Sequence, residues 1–132
     1  MATTQKRSSL PKHILIVEDD EYLANAYRLK VEKEGYRVTL AGDGEQALRA
    51  LQASKPDLII LDLVMPNMDG FTVLEHIRAH REWKNLQIVV MSNLGQDEDI
   101  SRAKQYGVEH YLVKSDIRLK DLLVMVSKLL AP

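Results

Sequence analysis

Charged and hydroxyl side chains follow several of the apolar segments that recur along this chain of 132 residues. They are Glu18, Asp19 and Asp20 after the first segment, Asp62 after the third, Ser92 after the fourth and Lys114 after the fifth. Carboxylate oxygens are ligands that Mg²⁺ prefers, whereas the chain has no cysteine to hold a softer metal. If the fold gathers these segment ends, the set can bind a divalent cation beside a reactive carboxylate.

Asp62 directly follows the continuous apolar run Leu58-Ile59-Ile60-Leu61. Two carboxylates about 4 Å apart repel by about 4 kcal/mol at an effective dielectric constant of about 20, so a cluster of acids requires a cation. Mg²⁺, or Mn²⁺ in its place, keeps several waters that a phosphoryl group can displace. We therefore expect Asp62 to attack phosphorus, while Lys114 neutralises the transferred group and Ser92 donates a hydrogen bond to it.

Strand-like and helix-like segments alternate, which predicts five βα units. The predicted strands are residues 13–17, 37–41, 57–61, 87–91 and 110–113. The predicted helices are one from Asp20 to about Gly35, one ending before Pro56, one after Gly70, one over about 97–106 and one over about 119–130. Such a pattern favours an α/β fold with a doubly wound parallel sheet covered on both faces. In these sheets ligands bind beyond the carboxyl ends of the strands, where the residues above would meet.

The composition limits the classes of protein to which the chain can belong. Hydrophobic residues make up 45% of the chain, enough for a core, and the 18 basic and 19 acidic residues leave a formal net charge of -1. This balance gives no reason to expect a nucleic-acid or membrane partner, and no stretch approaches the length of a membrane span. The start lacks the apolar centre of a secretory signal. We expect a polar tail over residues 1–10, a single domain over residues 11–132 and a cytoplasmic location.

Four stretches together carry a resemblance to a known family: ILIVEDD, LIILDLVMPNMDG, IVVMS and YLVK. In this order and spacing, the chain from about Lys12 to Leu130 resembles the receiver domain of two-component response regulators. The resemblance implies a flavodoxin-like sheet of five parallel strands in the order 2-1-3-4-5, with five helices on its two faces. It also implies a signalling switch that catalyses only its own phosphorylation and dephosphorylation, rather than an enzyme.

The resemblance implies a role for each matching residue. Asp62 would be the phosphoacceptor, Asp19 a direct Mg²⁺ ligand, Glu18 a ligand through water, the backbone carbonyl of Val64 a third protein ligand, Ser92 the switch hydroxyl, Lys114 the phosphate-binding lysine and Tyr111 the switch aromatic. The phosphoryl group would come from a histidine kinase or a histidine phosphotransfer protein. A downstream protein target would then read the result, with the receiver as a monomer or a phosphorylation-dependent dimer.

The expected switch couples Ser92 to Tyr111. Ser92 can donate to a phosphoryl group only if the loop after the fourth strand moves inward, which leaves space for Tyr111 to rotate toward the interior. The surface of the fourth helix, fifth strand and fifth helix would then change. The weak apolar stripe of the fourth helix, mainly Ile100 and Ala103, is typical of an element that is loosely held.

The chain departs from the family pattern at several positions. Ser115 follows Lys114 where the family usually has a proline in a cis bond, and Asn93 follows Ser92 where a smaller residue is usual. Val64 and Leu94 occupy positions that tune the lifetime of the phosphoryl group. Because neither side chain can orient an attacking water by hydrogen bonding, we expect slow autodephosphorylation.

Three other functions fit the pattern less well. An electron carrier of the same fold that binds flavin mononucleotide needs a phosphate loop after the first strand, where this chain has acids. An aspartyl-phosphate hydrolase usually has a second Asp two positions after the nucleophile, where this chain has Val64. A binding module that never meets phosphate would not need the complete set of acids, hydroxyl and lysine.

Several other side chains are more typical of structure than of chemistry. His76 and His80 lie four apart on a helix but lack a third metal ligand, so a solvated face is expected. Two basic patches, Arg78 to Lys84 and Lys114 to Lys120, are expected to be solvated as well. Trp83 is expected to pack the loop before the fourth strand, and Asp69 to cap the third helix.

Overall fold

The computed structural model describes residues 10–132. The predicted polar tail lies outside the described residues except for Leu10, which is exposed. The strands are β1 His13–Val17, β2 Arg37–Ala41, β3 Leu58–Leu61, β4 Gln87–Ser92 and β5 His110–Val113. The α-helices are α1 Glu21–Lys33, α2 Gly44–Ala53, α3 Gly70–Ala79, α4 Asp97–Gln105 and α5 Leu119–Leu129. A short 3₁₀ helix, Lys114–Asp116, joins β5 to α5.

The five strands form one parallel sheet in the order β2-β1-β3-β4-β5. Val17 pairs with Leu61, Leu61 with Val90 and Val90 with Tyr111, so the strands end at nearly one level. The predicted doubly wound sheet is therefore confirmed, and the carboxyl ends of its strands share one edge.

Alternate residues of each strand point to opposite faces, and each face has its own core. On one face α1 and α5 pack against the sheet through side chains such as Tyr27, Val31 and Leu122. On the other face lie α2, α3 and α4. Because both faces are covered, the strands β1 and β3 are buried at every residue rather than at alternate residues.

Two predicted strand boundaries differ from the structure. β3 begins at Leu58 rather than at residue 57, because the Asp57 carboxylate accepts a hydrogen bond from the His13 backbone N–H at 2.8 Å. β4 extends one residue further than predicted, because Ser92 pairs with Val113. Ser92 is thus the last residue of β4 and is fully buried.

Three helices that follow strands begin at an aspartate. Asp20 accepts from the backbone N–H groups of Tyr22 and Leu23, and Asp43 and Asp69 each accept from the N–H three residues on. Such caps satisfy backbone donors that a helix leaves unpaired at its start. No helix within residues 10–132 is long and apolar enough to cross a membrane.

Candidate functional site

The sheet brings the acidic residues to one edge. The Glu18 N–H donates to the Ala41 carbonyl and the Asp62 N–H to the Val17 carbonyl, both at 3.0 Å. These bonds continue the strand ladders by one residue, so Glu18 and Asp62 leave neighbouring strands at the same level. Their side chains are nearly inaccessible, at 4% and 6% exposure. The burial of two carboxylates side by side is costly unless a cation compensates them.

Asp19 completes a group of three acids. Glu18, Asp19 and Asp62 each offer a carboxylate oxygen, and these oxygens all lie within 4.8 Å of one another. Opposite ligands of an octahedral Mg²⁺ are about 4.2 Å apart, since each bond is about 2.1 Å long. Asp19 is exposed, so the group is open to solvent on one side. Asp20 is not part of this group, because its carboxylate caps α1.

Lys114 lies between the two buried acids. Its ammonium donates to Asp62 Oδ2 at 2.9 Å and also to Glu18 Oε1. Burial raises the pKa of Glu18, although the hydrogen bond with Lys114 opposes this effect. Burial alone would lower the pKa of Lys114, but the hydrogen bonds to both acids outweigh it and the pKa is raised. Lys114 is therefore charged at neutral pH and supplies positive charge that compensates the two buried acids.

The Asp62 carboxylate is oriented by its own chain. Its second oxygen, Oδ1, accepts from the Val64 backbone N–H at 3.1 Å. Gly70, the first residue of α3, lies against the Asp62 backbone, and a Cβ at this position would be 2.5 Å from the Asp62 carbonyl oxygen and 2.6 Å from Leu63 Cα. The sequence indicated Gly70 only as the residue before the third helix. The structure shows that a side chain here would displace the backbone of Asp62.

Ser92 and Tyr111 are both linked to the backbone of Leu94. The Leu94 N–H donates to Ser92 Oγ at 3.3 Å, and the Tyr111 hydroxyl donates to the Leu94 carbonyl at 2.5 Å. Burial raises the pKa of Tyr111 to about 12. The sequence indicated Leu94 only through its side chain. Its backbone groups, which join the two predicted switch residues, have no signature in the sequence.

The geometry of the site can be set beside known proteins. A family model described as the response regulator receiver domain matches residues 14–127. The chain belongs to this family. The four motifs that suggested the resemblance all lie within the matched residues.

Relatives of this receiver domain include chemotaxis protein CheY of Treponema pallidum. It is 35% identical over 121 residues, which cover 89% of this chain and 83% of the relative. Transcriptional regulatory protein AfsQ1 of Streptomyces coelicolor is 35% identical over 101 residues, which cover 76% of this chain but only 44% of the relative. The receiver domain thus spans about half the length of several curated relatives it matches.

Solved receiver structures share the fold. Chemotaxis protein CheY4 of Vibrio cholerae superposes with a TM-score of 0.84 at 28% identity, covering 91% of this chain and 99% of that one. The receiver domain of a histidine kinase from Syntrophus aciditrophicus gives 0.82 at 28% identity, covering 91% and 90%. The chain is thus a receiver domain of two-component signal transduction, a family of signalling switches.

The structure also shows the conformation or contacts of the Lys114–Ser115 bond, of Trp83 and of the two histidines. The Lys114–Ser115 peptide bond is trans. Trp83 is buried and stacks on His80, with ring centroids 3.6 Å apart, so its predicted packing role is confirmed. His80 Nδ1 accepts from the Glu82 N–H and His76 Nδ1 contacts the Thr72 carbonyl; within residues 10–132 neither belongs to a candidate metal cluster.

Two of the basic residues that were expected to be solvated are not: Lys114, which lies between the buried acids, and Arg78. Its guanidinium donates to the carbonyls of Tyr106, Lys84 and Leu86 at 2.6 to 2.9 Å. Burial lowers the pKa of Arg78. This side chain therefore joins the end of α3 to the end of α4 and to the start of β4, and the expectation of a solvated patch is wrong at this residue.

Proposed function

We propose that this receiver domain accepts a phosphoryl group on Asp62 from a phosphohistidine of a histidine kinase or histidine phosphotransfer protein. The observation that carries the proposal is the buried Asp62 carboxylate, which shares the Lys114 ammonium with a second buried acid, Glu18. A site built for stability alone has no need of two buried acids and an open third one.

The donor set fits Mg²⁺, with Mn²⁺ as a substitute. The three acids offer hard oxygen ligands only, at separations close to those of an octahedral ion. Asp19, Asp62 and the Val64 carbonyl would bind directly and Glu18 through water. Bound there, the ion supplies positive charge that stabilises the charge of the transferred group. Lys114, which donates to both Glu18 and Asp62, would contact the phosphoryl oxygens.

The transfer itself requires little covalent chemistry from the protein. An Asp62 carboxylate oxygen forms a bond to phosphorus as the bond from phosphorus to the donor imidazole nitrogen breaks, and the imidazole keeps the electron pair. Such a transfer is accelerated mainly by positioning and by charge. Asp62 is held by the Val64 N–H, and Lys114 already lies at 2.9 Å from the reacting carboxylate.

Leu94 supplies the coupling to the surface. Ser92 Oγ accepts from the Leu94 N–H, which leaves its own proton available to donate to the phosphoryl group. When Ser92 rotates toward the phosphoryl group, the Leu94 backbone moves with it. The Tyr111 hydroxyl then moves as well, because it donates a hydrogen bond to the Leu94 carbonyl. The position of the Tyr111 ring therefore depends on whether Asp62 carries a phosphoryl group. Its movement changes the surface of α4, β5 and α5, where a downstream protein would bind. The phosphoryl group acts by its differential contacts in the two states.

The direct test is labelling with acetyl phosphate in the presence of Mg²⁺. Wild-type protein should gain one phosphoryl group by intact mass, and Asp62→Asn should gain none. Asp97→Asn, which removes an exposed acid at the start of α4, is the matched control and should be labelled like wild type. Chelation of the metal should abolish labelling as well. Labelling of Asp62→Asn at the wild-type level would overturn the assignment.

Lifetime of the label tests the second part of the proposal. Val64 and Leu94 offer no side-chain hydrogen bond to an attacking water, so the label should be lost slowly. Val64→Glu and Leu94→Asn should each shorten its half-life, since both can orient a water. A wild-type half-life that neither change shortens would contradict this reading of the two positions.

A further inference from the structure

The loop between β3 and α3, residues 62–69, contains a strained turn. Asn67 has a φ of 68° and is the only residue other than glycine with a positive φ within residues 10–132. The Met68 N–H donates to the Pro66 carbonyl at 2.8 Å, which closes a three-residue γ-turn around Asn67. Turns of this kind with positive φ are rare and strained, and such strain persists only where the surroundings hold it.

Two contacts from α2 hold this turn. The Asn67 side-chain amide donates to Asp43 Oδ2 at 3.3 Å, while the other oxygen of Asp43 caps α2 by accepting from the Gln46 N–H at 2.8 Å. Gly44, the first residue of α2, lies so close that a Cβ there would be 2.7 Å from the Met68 carbonyl oxygen and 2.8 Å from Met68 Cβ. The turn is therefore pressed against the start of α2 on one side and hydrogen-bonded to its cap on the other.

The same loop carries groups of the proposed site. It begins at Asp62, whose carboxylate accepts from the Val64 N–H, and it ends where the Gly70 N–H donates to the Leu63 carbonyl at 2.9 Å. Pro66, which accepts the bond of the γ-turn, is two residues after Val64. A turn fixed at Asn67 limits the positions open to the Val64 carbonyl, whereas a loose turn does not.

We propose that Asp43 and Asn67 are positioning residues that hold the loop of residues 62–69 and thereby aim the Val64 carbonyl at the cation. Neither residue touches the cation or the phosphoryl group. The proposal rests on the proposed function for its second half, because it requires that the acidic group binds Mg²⁺. Its first half, the holding of the loop, concerns the metal-free protein.

The pair allows an exchange test, because the hydrogen bond can be rebuilt with its partners swapped. Asn67→Asp alone places two carboxylates together and breaks the bond. Asp43→Asn alone places two amides together and serves as the matched control, because the Asn67 amide can flip so that its oxygen accepts from the new amide. The double variant Asp43→Asn with Asn67→Asp restores one amide and one carboxylate. Asn and Asp both tolerate positive φ, and both can cap α2, so turn and cap chemistry are retained in all three variants. Asp43→Ser is a further variant, which keeps the cap but has no second oxygen for Asn67.

Two measurements separate the halves of the proposal. The first is amide hydrogen exchange at Val64 and Met68 in metal-free protein, with the amides of β3 as internal controls. The second is Mg²⁺ affinity by calorimetry. We expect Asn67→Asp and Asp43→Ser to speed exchange at Val64 and Met68 and to weaken Mg²⁺ binding by about threefold to tenfold, and Asp43→Asn to stay within about twofold of wild type in both readings. We expect the double variant to return both readings to within about twofold of wild type.

Each other result overturns part of the proposal. A double variant no better than Asn67→Asp would mean that general disturbance of the loop, and not the pair, is responsible. Wild-type exchange in Asn67→Asp and Asp43→Ser would overturn the holding of the loop. Faster exchange with unchanged Mg²⁺ affinity would overturn the aiming of the Val64 carbonyl. Wild-type protein that binds no Mg²⁺ would overturn the proposed function itself, while the exchange data would still decide whether the pair holds the loop.

Discussion

Helices α3 and α4 pack on the same face of the sheet but are held very differently. Five of the ten residues of α3 are buried, and the Asp69 side chain caps it by accepting from the Thr72 N–H. In α4 only Ala103 is buried, and the residue before the helix, Gln96, makes no side-chain cap. Both helices lie against one core, but α3 connects two inner strands while α4 leads to the edge strand β5 and has few apolar residues of its own. The helix that follows Asp62 therefore has more buried contacts than the helix that follows Ser92.

The attachments of α4 also differ along its length. Its end is held by the bond from Arg78 to the Tyr106 carbonyl, and Arg102 lies 4.0 Å from the centre of the Phe71 ring. Its start is linked mainly through Leu94, by way of Ser92 and Tyr111. A phosphoryl group on Asp62 would therefore act at the end of α4 that is easier to move. Local free energy of opening is expected to be low there and high in α3.

The largest difference between the helices should appear when a core side chain is shortened. Leu74→Ala removes a fully buried side chain of α3 and should lower the free energy of unfolding by about 3 kcal/mol. Ile100→Ala, its counterpart on α4, removes a half-buried side chain and should cost about 1 kcal/mol or less. Urea unfolding measures both. Equal losses would contradict the contrast.

A smaller difference is expected at the glycines before or at the start of each helix. Gly70→Ala forces a Cβ against the backbone of Asp62 and Leu63, so it should destabilise the protein by about 1–3 kcal/mol and reduce phosphorylation. Gly95→Ala meets only Val113 methyl groups, at 3.5 and 3.6 Å, and should change stability by about 0.5 kcal/mol or less. Acetyl phosphate labelling together with urea unfolding tests the pair. If Gly70→Ala had the same stability and the same labelling as Gly95→Ala, the close approach of Gly70 to the Asp62 backbone would not matter for either property.

The helix caps give a third contrast, because one substitution removes a cap from α3 and the other adds a cap to α4. Asp69→Ala removes the acceptor of the Thr72 N–H and should destabilise the protein by about 1 kcal/mol. Gln96→Ser supplies a cap that α4 lacks and should stabilise it by about 0.5 kcal/mol. Slower hydrogen exchange in the first turn of α4 would accompany the gain. A loss of stability in Gln96→Ser would show that α4 is held by something other than its own cap.

The smallest effect is expected in the pH dependence of stability that arises from Tyr111. Its pKa is raised to about 12, so the folded protein keeps the phenol proton between pH 10 and 12 while the unfolded chain loses it. The contribution of Tyr111 to stability is therefore intact below pH 10 and declines as the pH rises through that interval. Burial also raises the pKa of Tyr27, so absorbance titration of the phenolates should show late-titrating tyrosines of which one is lost in Tyr111→Phe. A Tyr111→Phe protein with the same late-titrating absorbance as wild type would contradict the hydrogen-bonded position.

Much of this contrast could be predicted from the sequence. The apolar stripe of α4 was expected to be weak, with Ile100 and Ala103 as its main members, and burial of Ala103 alone confirms this. The five βα units and the gathering of Asp62, Glu18 and Lys114 were also expected, and the structure brings these three side chains together. Each of these expectations depended only on residues that are close in sequence. They came from the regular spacing of apolar residues or from the residue that directly follows a strand.

Other features depended on pairs that are distant in sequence. Asn67 contacts Asp43, Gly70 lies against the Asp62 carbonyl, and Leu94 joins Ser92 to Tyr111. Arg78, expected to be solvated, bonds instead to three carbonyls. Backbone carbonyls and N–H groups occur at nearly every residue, so the sequence does not mark the few that meet a side chain.

The amino-acid sequence by itself determined the order of elements, the parallel sheet and the side chains at its carboxyl edge, because hydrophobic periodicity and strand-ending residues are local properties. Only the tertiary structure decided which backbone atoms hold those side chains and which contacts attach the two ends of α4. That decision depends on how closely two loops approach one another, to within a few tenths of an ångström, which is a property of packing and not of any one segment.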